Sequence, residues 1–152
     1  IKSVAAKSGS TGQMVFVTVL HTISGPRGVS CLEEHDIVYR EAAKPGEQQR
    51  AASPAPNDPT WTRRLTPDPV LLFRFSALTF NGHRIHYDLP YVTGVEGYPG
   101  LIVQGPYTAA KLFQHASRAT APIKRFSFRA TAPLFADQPA ILRQGHHSQK
   151  PS

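Results

Sequence analysis

Apolar stretches that predict regular structure alternate along the chain with polar or proline-rich stretches that separate them. Residues 13–23 (QMVFVTVLHTI) are rich in β-branched and aromatic types and contain neither glycine nor proline, so they predict a strand. A second strand is predicted at 36–40, and a polar turn or loop at 7–12. Residues 69–80 (PVLLFRFSALTF) are almost entirely apolar, a pattern that a strand and a buried helix share.

The pattern in the second half predicts a helix followed by a strand. The helix begins at Pro106, because the missing N–H of proline costs nothing at the first helical position. Its apolar face is formed by residues at helical spacing, namely Ala109, Leu112, Phe113 and Ala116. Residues 124–131 alternate between apolar and polar types, which predicts a half-buried strand. Strands, one helix and then further strands indicate an α+β fold with an antiparallel sheet packed on a helix.

Three polar segments interrupt this pattern. Residues 44–59 contain four prolines and no aromatic residue, which is typical of a linker or a mobile loop. Residues 94–100 are glycine-rich and predict a loop, and residues 144–152 are typical of a disordered tail. The chain begins with Ile1 rather than methionine, which suggests a fragment or a processed chain.

Composition narrows the choice of partner and compartment. The 17 Lys and Arg residues outnumber the 10 Asp and Glu residues, and a positive field favours anionic partners such as nucleic acid or the phosphates of coenzyme A. The basic residues are not part of a recognised nucleic-acid-binding motif, so we expect no nucleic-acid partner. Cys31 is the single cysteine, which excludes an internal disulfide, favours a reducing compartment and predicts a small buried residue rather than a nucleophile. No apolar run approaches the roughly 20 residues of a membrane span, so we expect no membrane partner.

Four residues that can carry chemistry stand close together, namely Asn81, His83, His86 and Asp88. Histidine titrates nearest neutral pH and is the commonest general acid or base, and a neighbouring carboxylate or amide can fix its tautomer. By themselves these residues also fit a polar surface loop, or a metal site formed by the two histidines and Asp88. Downstream, Gly105 and the amino end of the predicted helix offer backbone N–H groups that can stabilise an oxyanion.

Two segments, FRFSALTFNGHRIHYD at 73–88 and YPGLIVQGPYTA at 98–109, resemble the MaoC-like hydratases. They are most similar to the branch that contains mesaconyl-C4-CoA hydratase, itaconyl-CoA hydratase and the mitochondrial 3-hydroxyacyl-thioester dehydratase. The resemblance implies a hot-dog fold, in which an antiparallel sheet wraps a central helix, here as a partial double hot-dog. It further implies that 1–43 are the last strands of a first unit, 44–66 a linker, 67–142 a second, catalytic unit without its last strands, and 143–152 a tail.

The resemblance also assigns roles to residues. His86 falls on the position of the catalytic histidine, and Asn81 falls where the wider family has an aspartate. Because Asn81 cannot act as a base, His86 would transfer the protons, Asn81 would orient water, and the Gly105 N–H would hold the thioester oxygen. Further candidates for substrate binding are His83, Arg84, Tyr87, Asp88, Tyr98 and Gly100, with Arg84 near the phosphates of coenzyme A. No metal or other cofactor is implied.

The activity implied is that of a hydro-lyase that reversibly hydrates an enoyl-CoA, with a branched or dicarboxylic acyl group of four or five carbons. Two alternatives stay open: a 3-hydroxyacyl-ACP dehydratase of fatty-acid synthesis, and a truncated, non-catalytic hot-dog that binds thioesters. We expect a homodimer or pairing with another hot-dog unit. The expected location is the cytoplasm, or the mitochondrial matrix in a eukaryotic cell.

Overall fold

The structure, a computed structural model, describes residues 1–9, 12–40, 59–118 and 122–145. The chain divides into two units, Ile1–Gln48 and Gln49–Ser152. Its antiparallel sheets and helices confirm the predicted α+β class. None of the helices in the described residues combines the length and the hydropathy that crossing a bilayer requires.

The first unit contains an antiparallel sheet in the order β1-β2-β3. Its strands are β1 (Ser3–Gly9), β2 (Gly12–Gly25) and β3 (Gly28–Arg40). A tight turn joins β2 to β3, and Gly28 adopts a φ of 101°, which glycine tolerates without a steric penalty. The strand predicted at 13–23 is confirmed, since it lies within β2.

Two details of the first unit differ from the predictions. The second strand begins at Gly28 rather than residue 36, and Lys7–Gly9 close β1 instead of belonging to a turn. The start of β3 is rich in polar residues, so its pattern does not predict a strand. These side chains bond across the sheet instead, as when Glu33 accepts from His21 Nδ1 at 2.8 Å. Cys31 is exposed, so the prediction of a buried cysteine was wrong. It lies in the part of β3 from Gly28 to Asp36, in which the side chains on both faces of the strand are exposed.

The second unit begins with a strand that the sequence had assigned to the linker. β4 (Trp61–Leu65) pairs antiparallel with β5 (Ala140–Gln144), with Trp61 opposite Gln144 and Leu65 opposite Ala140. The end of the predicted linker and the start of the predicted tail are therefore strand residues. Their pairing spans most of the unit, so no local pattern reveals it. Residues 41–58 and 146–152, which include the rest of the linker and tail, lie outside the described residues.

In the described part of the chain after β4 there are three α-helices. They are α1 (Pro69–Leu78), α2 (Leu89–Gly94) and α3 (Gly105–Ala116), with a 3₁₀ helix at Arg84–His86 before α2. Of the two structures that the apolar pattern at 69–80 allowed, a strand or a helix, the chain forms the helix α1. The Asp68 carboxylate caps this helix by accepting the Leu71 N–H at 2.7 Å, and Pro69 occupies its first turn.

The predicted helix at Pro106 is confirmed as α3, but its buried positions differ from those predicted. Tyr107 and His115 are buried, whereas Phe113 is exposed. The strand predicted at 124–131 is wrong: these residues form no ladder in the described structure, although Phe126 packs edge-on against Phe113 at 5.4 Å between ring centroids. An alternating pattern becomes a strand only where a partner strand accepts its backbone hydrogen bonds.

An extended segment, Leu101–Gln104, runs through the centre of the second unit. Leu101 and Val103 join Leu72, Val92 and Tyr107 in the buried apolar cluster. On one side the Ile102 N–H donates to the Ile85 carbonyl at 3.0 Å, and on the other the Val103 N–H donates to the Leu134 carbonyl at 2.8 Å. The segment therefore connects the loop after α1 with the start of α3.

Candidate active site

The loop between α1 and α2, residues 81–88, is held by local hydrogen bonds. The Asn81 N–H donates to the Ser76 carbonyl at 2.9 Å, and the Asn81 Oδ1 accepts the His83 N–H at 3.1 Å. The Tyr87 hydroxyl donates to the Gly82 carbonyl at 2.8 Å. The bond to His83 fixes the orientation of the Asn81 side chain, and its amide nitrogen is left as a donor that can bind water.

Phe80, the residue before this loop, has a strained backbone. Its φ is 52°, in the left-handed region that bulky residues rarely adopt, and its side chain is 97% exposed. Such strain costs on the order of 1–3 kcal/mol and persists where the surrounding structure imposes it. Here the bond from Asn81 to Ser76 holds the chain in this turn and places Asn81 at the end of α1.

His86 is the buried histidine of this loop, with 7% of its surface exposed. Its Nδ1 lies 2.7 Å from the Ile102 carbonyl oxygen. Since a carbonyl can only accept, Nδ1 carries the hydrogen, and in the neutral ring Nε2 has a free lone pair. Burial lowers the pKa of His86, the bond to Ile102 partly opposes this, and the nearby His83 lowers it further. His86 is therefore neutral near pH 7 and ready to accept a proton.

His83 and His86 are the two site residues in direct ring contact. Their ring centroids are 5.6 Å apart and the rings are nearly perpendicular, at 83°. His83 is exposed at the surface of the loop. It therefore covers one side of the His86 ring, a position compatible with its predicted role in substrate binding.

Arg84 and Asp88 bind each other. The Nε and Nη2 atoms of Arg84 donate to Oδ2 of Asp88 at 2.9 and 2.8 Å, and the guanidinium also lies 4.0 Å from the centroid of the Tyr91 ring. Hydrogen bonds from Arg84 and from the Tyr91 N–H lower the pKa of Asp88. Asp88 also caps α2. This pair stabilises the loop and α2, and the substrate-binding roles of both residues stay predictions.

Gly105 lies three residues beyond Ile102, at the first position of α3. Pro106 has no N–H, and the Thr108 N–H donates to the Gln104 carbonyl at 3.1 Å. Among the described residues, the N–H groups of Gly105 and Tyr107 have no hydrogen-bond acceptor. A Cβ built on Gly105 would meet nothing within 4 Å. Open space next to a free N–H at a helix start suits an incoming oxyanion.

Tyr98 and Gly100 lie on the loop before Leu101. Tyr98 packs partly buried against the apolar cluster and faces Phe135 at 6.4 Å between ring centroids. Within the described residues, neither Tyr98 nor Gly100 makes a hydrogen bond or ring contact with His86. Their predicted contribution to substrate binding stays a prediction.

A cavity of about 280 Å³ adjoins the loop. Its lining includes the Asn81 end of the motif together with apolar side chains of α1. The lining residues are Phe73, Ser76, Ala77, Phe80, Asn81, Gly82 and Tyr87. Phe73 is exposed here, although an apolar side chain of this size is usually buried in the core.

Sequence reasoning missed the polar residues buried behind the site. Gln104 is fully buried and its side chain bonds to α1, and His115 is 3% exposed with its ring stacked on Trp61 at 4.1 Å between centroids. Within the described residues, neither ring nitrogen of His115 makes a hydrogen bond of normal geometry, although the Trp61 backbone lies close enough to oppose the lowering of the His115 pKa. The one available signal for Gln104 was its place next to Gly105 in the sequence.

Comparison with known proteins identifies the family. A model of the hydroxyacyl-thioester dehydratase type 2 family matches residues 1–136. The chain belongs to this family. The predicted resemblance is confirmed, and the family has the hot-dog fold that the α+β architecture with antiparallel sheets agrees with.

Two curated relatives support the assignment. A mesaconyl-C(4)-CoA hydratase from Chloroflexus aurantiacus is 49% identical over 136 residues, which are 89% of this chain and 49% of the relative. A mitochondrial hydroxyacyl-thioester dehydratase type 2 from Schizosaccharomyces pombe is 31% identical over 143 residues, covering 90% of this chain and 47% of the relative. The chain thus spans about half the length of the curated relatives it matches.

Proposed function

We propose that this chain carries the catalytic site of a hydro-lyase that reversibly hydrates an enoyl-CoA thioester. The observation that carries the proposal is the state of His86, a buried neutral imidazole whose Nδ1 is fixed by Ile102 and whose Nε2 is free to exchange a proton. The names of both relatives, a hydratase and a dehydratase of thioesters, describe the two directions of such a reaction.

In the hydration direction, His86 Nε2 takes a proton from water as the water oxygen bonds to the β-carbon of the enoyl group. The electrons of the C=C bond move toward the thioester carbonyl, which becomes an enolate. The protonated His86 then returns the proton to the α-carbon, which restores the carbonyl. Dehydration follows the same steps in reverse. One titrating group serves both proton transfers, because Asn81, an amide where the wider group of MaoC-like hydratases has an aspartate, cannot act as a base.

Gly105 and Asn81 supply the remaining interactions. In this proposal the Gly105 N–H donates to the thioester oxygen, where negative charge develops, and such a donor acts most strongly in the transition state. The Asn81 amide nitrogen donates to the water oxygen and so aligns a lone pair with the β-carbon. Both residues are connected to His86 through short stretches of backbone. Asn81 lies five residues before His86 on the same loop, and Gly105 lies three residues after Ile102, whose carbonyl binds His86.

The substrate we propose is an acyl-CoA thioester with a branched or dicarboxylic group of four or five carbons. The proposal draws on the relative named for mesaconyl-C(4)-CoA and on the chain's formal charge of +7, which favours the phosphates of coenzyme A. A short acyl group also fits the volume of the cavity beside Asn81, although His86 and Gly105 are not among the residues that line this cavity. An ACP-bound substrate, pairing with a second hot-dog unit, and a location in the cytoplasm or mitochondrial matrix stay predictions.

A second candidate function is thioester binding without catalysis. It is favoured by large apolar side chains exposed on the sheet of the first unit, such as Val4 and Tyr39. Exposed apolar sheet surface is typical of an interface. In this case a second hot-dog unit would complete the site.

The test is a hydration assay on the 152-residue chain with a small panel of enoyl-CoAs, including crotonyl-CoA and mesaconyl-C4-CoA, followed by loss of enoyl absorbance. His86→Ala is compared with His35→Ala, which changes an exposed histidine of β3 in the first unit. We expect the loss of His86 to lower kcat by about 10²- to 10⁴-fold, the range for general acid–base catalysis, and His35→Ala to match the wild type. Full activity of His86→Ala on every substrate would refute the proposal, and thioester binding without turnover would support the second candidate.

A further inference from the structure

Gln104 is a buried polar residue that the proposed mechanism does not use. We propose that Gln104 is a positioning residue: its side-chain amide fixes the start of α3 against α1 and thereby holds the Gly105 N–H where the thioester oxygen binds. This inference rests on the proposed function and adds a residue to its site. Gln104 does not contact the reacting atoms in this scheme and acts only through its neighbour.

Two hydrogen bonds define the orientation of the Gln104 side chain. Nε2 donates to the Leu72 carbonyl and to Ser76 Oγ, both at 2.9 Å. The carbonyl of Leu72 can only accept, so the amide nitrogen rather than the oxygen must face α1. The side chain is fully buried, and water therefore does not compete for these bonds.

The same turn of α1 also holds the other end of the site. The Ser76 carbonyl accepts the Asn81 N–H at 2.9 Å, while the Ser76 hydroxyl accepts from Gln104. Ser76 is itself buried. Through Ser76, the amide of Gln104 ties the Gly105 donor to the loop that carries Asn81 and His86.

The backbone of Gln104 completes this connection. Its carbonyl accepts the Thr108 N–H at 3.1 Å, which closes the first turn of α3 and leaves the Gly105 N–H outside the helical hydrogen bonds. Two residues earlier, the Ile102 carbonyl holds His86 Nδ1. The donor for the oxyanion and the partner of the base therefore lie on one short segment, and Gln104 anchors its end.

The side-chain oxygen of Gln104 argues against a role in packing alone. Gln104 Oε1 is buried and has no hydrogen-bond partner among the described residues. A buried acceptor without a donor is unfavourable, and an apolar side chain of the same length would avoid that cost. A glutamine at this position is understandable if its two N–H bonds are needed for geometry rather than for stability.

The test compares Gln104→Met, which keeps the length of the side chain and removes both bonds, with Gln114→Met, an exposed glutamine on the same helix. We expect Gln104→Met to lower kcat about 10- to 100-fold, as small misplacements of catalytic groups do. We expect KM to change by less than about threefold and the acidic limb of the pH profile, which reports His86, to stay in place. Gln114→Met should match the wild type in every respect.

Ser76→Ala keeps the test decisive if Gln104→Met folds poorly. It removes one acceptor, so we expect a smaller loss of kcat, and the double variant should be no worse than Gln104→Met because the two residues act as a unit. Unchanged kcat in folded Gln104→Met, or additive losses in the double variant, would overturn the positioning role. If instead His86→Ala matches the wild type, the proposed function itself fails, and the Gln104 measurements are not needed to show it.

Discussion

Replacement of Gly105 by alanine separates the fold of this chain from its proposed chemistry. The added Cβ would meet no atom within 4 Å, and the φ of Gly105 is not positive, so alanine fits without strain. Alanine also favours the helix and restricts the unfolded chain, which together contribute up to about 1 kcal/mol of stability. We therefore expect the free energy of unfolding of Gly105→Ala to equal or slightly exceed that of the wild type.

The same methyl group would occupy the space that the substrate needs. If the thioester oxygen approaches the Gly105 N–H within hydrogen-bond distance, a Cβ on the adjacent Cα displaces it by a fraction of an ångström to about an ångström. Misplacement of this size costs up to about 100-fold. We expect kcat/KM to fall 10- to 100-fold, which corresponds to about 1.4–2.8 kcal/mol of transition-state stabilisation.

The assay combines enoyl-CoA hydration kinetics with chemical denaturation of the same preparations. Gly94→Ala is the matched control, because Gly94 ends α2, its Cβ would also meet nothing within 4 Å, and it belongs to no proposed catalytic or binding group. Gly94→Ala should keep full activity. Wild-type kinetics in Gly105→Ala, or an activity loss that its unfolded fraction accounts for, would refute the assignment of Gly105.

Two further predictions concern the buried histidines. Because burial lowers the pKa of His86, the acidic limb of kcat/KM should lie below the ordinary histidine value of 6.5, and a limb at or above that value in a pH profile would contradict a buried base. Burial likewise lowers the pKa of His115, and the neighbouring Trp61 backbone opposes this only in part, so the folded state binds fewer protons than the unfolded chain and loses stability as the pH falls below 6.5. His115→Phe, which keeps the stacking on Trp61, should therefore raise the free energy of unfolding by about 1–2 kcal/mol at neutral pH and by more near pH 5; denaturation at both pH values checks this, and a destabilised variant at either pH would contradict it.

Local signals in the sequence were sufficient for several elements. The β-branched run at 13–23 forms a strand, and Pro106 marks the start of α3, because both depend on backbone preferences of neighbouring residues. The order Asp68-Pro69, a capping residue followed by proline, is a local signal for the helix Pro69–Leu78, which the apolar pattern by itself had left open. The motif around His86 likewise identifies the family, since its residues are close in the sequence.

Only the tertiary structure decided which groups meet across the chain. β4 pairs with β5 although about 80 residues separate them, and the alternating run at 124–131 forms no strand because the described residues give it no ladder partner. The bond from His86 to the Ile102 carbonyl, which sets the tautomer of the base, joins residues 16 positions apart. The burial of Gln104 and its bonds to α1 are equally invisible in the sequence. Residue types and local spacing thus determined several of the elements and the candidate base, His86. Burial and long-range hydrogen bonds, which depend on the packed chain, determined the protonation state of His86 and the positions of the groups around it.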